Sequence, residues 1–209
     1  MFSLDSKFMQ TLNRLSDLMI LNLLFLLTCL PIITIGAANT ALNTVCIRMD
    51  TEREGGLVRT YFRAFRDNFR QSTLLWLLLA LCGTGCCFNI LLFSVQSSPM
   101  HYAYIPFTAL LVLIGMTFGY VFPLLSQFQN SIMGTLRNAV LLSIAYLPKS
   151  ILITAVNFFP WILLYMNFYA FLKIGILWIL LYFSAASYLN VRILSKVFAP
   201  FLDKEDEQP

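Results

Sequence analysis

The sequence predicts an all-α fold: a polytopic transmembrane helical bundle of about five spans. Three observations carry this expectation. Of 209 residues, 59% are hydrophobic and 11% charged, with a mean hydropathy of +0.76; a soluble domain carries roughly 25% charged residues. No Asp, Glu, Lys or Arg lies between Arg70 and Arg137, and no acidic residue between Asp67 and Asp203. An ion at the bilayer centre costs several kcal/mol, so hydrocarbon is the solvent that explains such a gap. The remaining apolar stretches have lengths near the ~20 residues that cross a bilayer, and residues 1–209 read as a single integral membrane domain.

Residues 2–17 place Leu4, Phe8, Leu12 and Leu15 at helical spacing, which predicts a short amphipathic helix at the headgroup level. The first apolar stretch, about 18–47, is longer than one span needs. Pro31 removes a backbone donor at its middle, so this span is expected to be bent or broken there. Asp5 and Asp17 interrupt the basic start, so the segment reads as retained and not as a cleaved leader. A single crossing would place Lys7 and Arg14 outside, whereas a re-entrant hairpin at Pro31 would place them inside; the single crossing is the reading adopted here.

Residues 48–72 form the one extended charged segment. Gly55-Gly56 signals a turn. After it, Phe62, Phe65 and Phe69 recur at three and four beside Arg59, Arg63, Arg66 and Arg70. That pattern predicts an amphipathic cytoplasmic helix around 57–70. Further spans are expected at about 73–93, 104–125, 149–166 and 171–194, with a partly immersed helix within 126–147, a kink at Pro160 and a solvated tail at 203–209. Trp161, Trp178, Tyr165 and Tyr169 read as interface anchors. The six arginines of 48–72 and the uncharged 94–103 loop place the former inside and the latter outside by the basic-residue rule. Arg137, Lys149, Arg192 and Lys196 then also fall inside, and Lys173 alone falls outside.

Few residues carry chemistry. Five cysteines lie in or beside apolar segments and read as buried thiols, not as a disulfide framework or a metal site. His101 is the single histidine and has no acid or second ligand nearby in sequence. The stretch 68–202 offers no carboxylate for ion coupling, and no nucleotide-binding or protease motif occurs. A non-catalytic protein with no cofactor and no metal is therefore expected, and nucleic acid is not an expected partner.

Two constellations remain. Asn39, Thr40, Asn43 and Thr44 form a polar face about two turns long after the Pro31 bend. It could line a passage for a small uncharged solute, or bond helices to one another. The Arg/Phe face (Arg59, Phe62, Arg63, Phe65, Arg66, Phe69, Arg70) suits anionic lipid headgroups. It also suits the carboxylates of a protein partner, since the planar guanidinium bonds them twice. Gly115 and Gly119 read as a helix-packing pair.

The stretch "LNLLFLLTCLPIITIGAANTAL", with Asn22, Pro31, Thr34, Gly36 and Ala41, is followed by "FRAFRDNFRQST". Together these resemble the YesL-like family of small bacterial integral membrane proteins, a domain of unknown function. The resemblance extends over most of the chain, with its motifs in the first 75 residues; Ala37 stands where the family pattern often has Pro. It implies a multi-pass protein of the bacterial cytoplasmic membrane, often encoded near carbohydrate ABC-transport genes. The function it points to is an accessory or scaffold subunit beside the ABC permease subunits of a sugar transporter. The alternative is a stand-alone facilitator or channel. No catalytic residue is implied.

Overall fold

The computed structural model describes residues 3–49, 56–95, 102–128 and 130–206; His101 and the tail beyond Asp206 fall outside them. Every described element is helical. The chain runs through α1 (Ser3–Cys29), a 3-10 turn (Ile32–Thr34), α2 (Ile35–Arg48), α3 (Leu57–Ser94), α4 (Tyr104–Gln127) and α5 (Ile132–Ala145). It continues through α6 (Leu147–Met166), α7 (Phe168–Lys173), α8 (Gly175–Leu177), a π-helical stretch (Trp178–Tyr182) and α9 (Phe183–Asp206). Five helices are long and apolar enough to cross a membrane. Their outward faces carry Leu27, Leu81, Leu91, Trp161 and Ile176, each at least 61% exposed. Water would not tolerate so much apolar surface, and lipid does, so the architecture is that of a multi-pass membrane protein.

The break at Pro31 is present, but the two arms do not form one crossing. The Asn22 Oδ1 accepts from the Ser184 backbone N–H at 3.0 Å, and the Cys46 thiol lies 4.0 Å from the Ser184 carbonyl oxygen. Residues 22 and 46 therefore flank one residue of α9, whereas a straight helix would hold them about 36 Å apart. The chain reverses at the 3-10 turn, where the Thr34 hydroxyl donates to the Thr28 and Pro31 carbonyls at 2.5 and 2.7 Å. The expected single span over 18–47 is thus a helical hairpin. Its first arm absorbs the expected interfacial helix of 2–17, because no helix-breaking residue separates the two.

The sidedness expected for the N-terminus changes with it. The Arg14 guanidinium donates to the Tyr188 hydroxyl at 3.2 Å, and the Arg192 guanidinium sits 4.7 Å from the centre of the same ring. Arg14 and Arg192 therefore share one end of the bundle. The re-entrant reading replaces the single crossing, and Arg14 joins the other basic residues.

A second boundary also dissolves. The expected surface helix (57–70) and second span (73–93) are one 38-residue helix, α3. It starts at Gly56, whose φ of 67° suits glycine alone. At 1.5 Å per residue it is about 57 Å long against ~30 Å of hydrocarbon, and its arginine-bearing turns are the part that hydrocarbon leaves at the interface.

The interior is one core on α3, α4, α5, α6 and α9 (Leu75, Tyr120, Phe122, Ala139, Ile153, Leu194, Val197, Phe198) and a second on α1, α2, α3 and α9 (Leu21, Leu42, Val45, Tyr61, Val191). Trp178 is 7% exposed and donates to the Phe171 carbonyl at 3.1 Å, so it is a core residue and not the expected interface anchor. Trp161, Tyr165 and Tyr169 do face outward. The expected fifth span is broken at Ile174, and α9 runs on to Asp206, which draws the start of the expected tail into a helix.

Gly119 packs α4 on α6: an added Cβ would stand 2.6 Å from Ile153 Cγ2, while one at Gly115 would meet Phe158 at an ordinary 3.6 Å. Gly119→Ala is expected to cost about 1–3 kcal/mol and Gly115→Ala almost nothing. Thermal unfolding of the two variants in detergent checks the difference.

Candidate functional site

The polar face after Pro31 divides in two. Thr40 is fully buried, and its hydroxyl bonds Ser72 on α3 at 2.9 Å. Asn43 is 3% exposed; its amide donates to the Asn39 side chain at 2.9 Å, and its oxygen accepts from Ser187 on α9 at 2.9 Å. Thr40 and Asn43 thus bond α2 to α3 and α9, while Asn39 is held within α2 by Asn43.

Thr44 opens elsewhere. Together with Arg48 it borders a half-open cavity of about 610 Å³ between the end of α2, the first turns of α3 and the end of α4. From α3 come Thr60, Arg63, Ala64, Asp67, Asn68 and Gln71. From α4 and the turn after it come Leu125, Ser126, Gln127, Phe128 and Asn130. The volume lies within the roughly 300–1,000 Å³ usual for ligand sites, but the walls are far more polar than most.

Local sequence explains the cavity. On α3, Tyr61, Ala64, Ser72 and Leu75 face the bundle and are buried. Thr60, Asp67 and Gln71 recur at seven and four on the flank beside that face, a polar stripe the arginine pattern conceals. Ser131 caps α5 by accepting from the Gly134 N–H at 3.2 Å, which ends the turn after α4 and sets Asn130 in place. The Asn130 carbonyl accepts from the Gln71 amide at 2.6 Å and ties that turn to α3.

Charge and unmet valence meet here. The Arg63 Nε lies 3.8 Å from an Asp67 carboxylate oxygen, one helical turn on. Gln127 Oε1 is buried and has no hydrogen-bond partner, a condition that costs about 1–3 kcal/mol where nothing satisfies it. Arg48, Thr60, Asp67, Asn68, Gln71, Gln127 and Asn130 were not singled out by sequence reasoning. Their one signal was the Thr60/Asp67/Gln71 stripe.

The Arg/Phe face lies outside the cavity, apart from Arg63. Arg59, Arg63, Arg66 and Arg70 are all exposed, on the side of α3 opposite its buried residues. Phe62 is 45% and Phe69 39% exposed, while Phe65 is partly buried, packs on the second core and lies 5.6 Å from the Phe69 ring. The face therefore presents guanidinium groups and two aromatic rings outward, away from the bundle.

Comparison with curated proteins and with solved structures finds no match. Residues 18–90, which hold the second part of α1, all of α2, the Arg/Phe turns and most of α3, match the family described as "Protein of unknown function, DUF624".

Proposed function

We propose that this chain is a non-catalytic membrane subunit of the bacterial cytoplasmic membrane. In this reading the first turns of α3 dock on the cytoplasmic side of a transporter's permease subunits. The observation that carries it is the outward pairing of exposed arginines with Phe62 and Phe69 on the side of α3 opposite its core. Arginine forks suit carboxylates of a partner, and exposed aromatic rings beside them are the side chains that carry most interface energy. The link to carbohydrate uptake by an ABC-type transporter rests on the sequence resemblance. Anionic lipid beneath the same arginines orients the docked face, at about 1 kcal/mol per basic residue.

The test is purification from its own membranes in mild detergent. The wild-type protein is expected to bring permease subunits with it. Arg59→Glu combined with Arg66→Glu and Arg70→Glu is expected to lower recovery of those subunits at least tenfold while leaving membrane insertion intact. A wild-type protein that purifies alone, or a triple variant that retains the same partners, refutes the proposal.

A further inference from the structure

On α3 the cavity wall turns acceptors toward an incoming ligand and keeps its amide donors for the protein. The Asn68 amide nitrogen donates to the Ala64 carbonyl at 3.1 Å, and the Gln71 amide nitrogen to the Asn130 carbonyl at 2.6 Å. A carbonyl takes only a donor, so both amides are fixed with nitrogen toward backbone and oxygen away from it. Both residues line the cavity, and neither oxygen is engaged among the described residues. Asp67 stands beside them, one residue before Asn68 and one turn before Gln71, and an ionised carboxylate accepts only. Arg48 and Gln127, the last residues of α2 and α4, border the same cavity, so two helix C-termini bring their partial negative charge to its rim. Neither of those two side chains is needed: Arg48 already has a partner, and Gln127 Oε1 is buried out of a ligand's reach.

A carboxylate, two amide oxygens and two helix C-termini call for a cation that donates hydrogen bonds. A primary ammonium offers three N–H groups, one for each of Asp67, Asn68 and Gln71. Arg63 lies on the same wall, and its Nε stands 3.8 Å from Asp67, longer than a hydrogen bond. That loose contact leaves the guanidinium fork open to phosphate oxygens. We infer that the cavity binds a primary ammonium carried beside a phosphate, with the ammonium on Asp67, Asn68 and Gln71 and the phosphate on Arg63. The site lies where the charged turns of α3 leave the hydrocarbon, at headgroup depth. Phosphatidylethanolamine carries this chemistry there, and soluble phosphoethanolamine carries it in water. A choline headgroup has the same charges but no N–H, and a glycerol headgroup has donors but no cation. The inference stands apart from the docking reading, since it uses Arg63 but none of Arg59, Arg66 and Arg70.

The experiment uses the full chain in a neutral polyoxyethylene detergent. Dioleoyl phosphatidylethanolamine, dioleoyl phosphatidylcholine, dioleoyl phosphatidylglycerol and phosphoethanolamine are titrated separately. Native mass spectrometry and the rise in thermal midpoint over each variant's own ligand-free value are the readouts. Phosphatidylethanolamine is expected to bind one-to-one, at least tenfold tighter than either of the other two lipids. Asp67→Asn and Asn68→Ala, which leave the Gln71 tie to Asn130 in place, are each expected to weaken it at least fivefold. Arg63→Gln is expected to weaken it at least threefold, while Arg59→Gln and Arg70→Gln change it less than twofold. Phosphoethanolamine binding as tightly as the lipid, with the same residue dependence, supports the site and makes its ligand a soluble one. Phosphatidylethanolamine binding no tighter than phosphatidylcholine, with no binding of phosphoethanolamine, overturns the inference. So does a preference for phosphatidylethanolamine that survives Asp67→Asn, or an equal loss at Arg59 and Arg70, which marks general surface attraction.

Discussion

Gly36→Ala is expected to unseat α2 from α3 and to destabilise the protein more than any other single methyl group added to it. The added Cβ would stand 2.4 Å from the Ser72 carbonyl oxygen and 2.7 Å from Trp76 Cβ. The first is backbone and cannot rotate away, so the helices must part. Parting them also breaks the buried Thr40–Ser72 bond and strains the Trp76 indole N–H, which donates to the Ile32 carbonyl at 2.9 Å. Overpacking costs about 1–3 kcal/mol where side chains yield, and a backbone clash places this variant at or above the upper end. The thermal midpoint in detergent is expected to fall by on the order of 10 °C, and Gly36→Leu is expected not to fold. A midpoint within a degree or two of wild type would show that α2 does not lie against α3 as described.

Asn22→Leu carries the second largest expected effect. Asn22 is fully buried, and its amide donates to the Trp178 and Ile179 carbonyls at 3.0 and 2.6 Å while its oxygen accepts from the Ser184 N–H. Those three groups belong to the π-helical stretch and the first turn of α9, where the backbone departs from regular α-helical bonding. In hydrocarbon no water replaces a lost partner. At about 1–3 kcal/mol per buried group left unmet, partly recovered by relaxation, a loss of about 3 kcal/mol is expected. Hydrogen exchange localises it: protection should fall across 178–184 and on α1, and stay unchanged in α4. Asn22→Asp sets a carboxyl group against the Trp178 and Ile179 carbonyl oxygens, and its ionised form is costly in hydrocarbon, so it is expected to be at least as destabilising as Asn22→Leu.

Much of the architecture was legible because charge is so costly in lipid. The ion-free stretch from Gln71 to Leu136 marks the spans of α3 and α4, and Pro31 marks the break between α1 and α2. The return of the hairpin was not legible, because what places residue 22 beside residue 46 is Ser184, more than 130 positions further on. The boundary expected between 57–70 and 73–93 followed a change in polarity. The backbone has no glycine or proline there to enforce it, so the helix continues.

The candidate site divides along the same line. The arginines of α3 stand out by spacing within one helix. The cavity draws its walls from three helices, and Thr60, Asn68, Gln71 and Gln127 are each unremarkable alone. Asn39 and Asn43 were visible as a polar face, but whether such a face bonds or conducts depends on the neighbours it meets, here Ser72 and Ser187.

The whole account depends on the basic residues other than Lys173 sharing one side of the membrane, with α1 and α2 dipping in and returning. Thiol labelling in intact cells and inverted vesicles measures this directly, using Asn13→Cys, Arg59→Cys, Ser195→Cys and Met166→Cys in a background with the exposed Cys82 and Cys87 replaced. The first three are expected to react with a membrane-impermeant reagent only from the cytoplasmic side, and Met166→Cys only from the opposite one. Asn13→Cys reacting from the face opposite Ser195→Cys would contradict the hairpin, and with it the shared end on which the docking face and the cavity both lie.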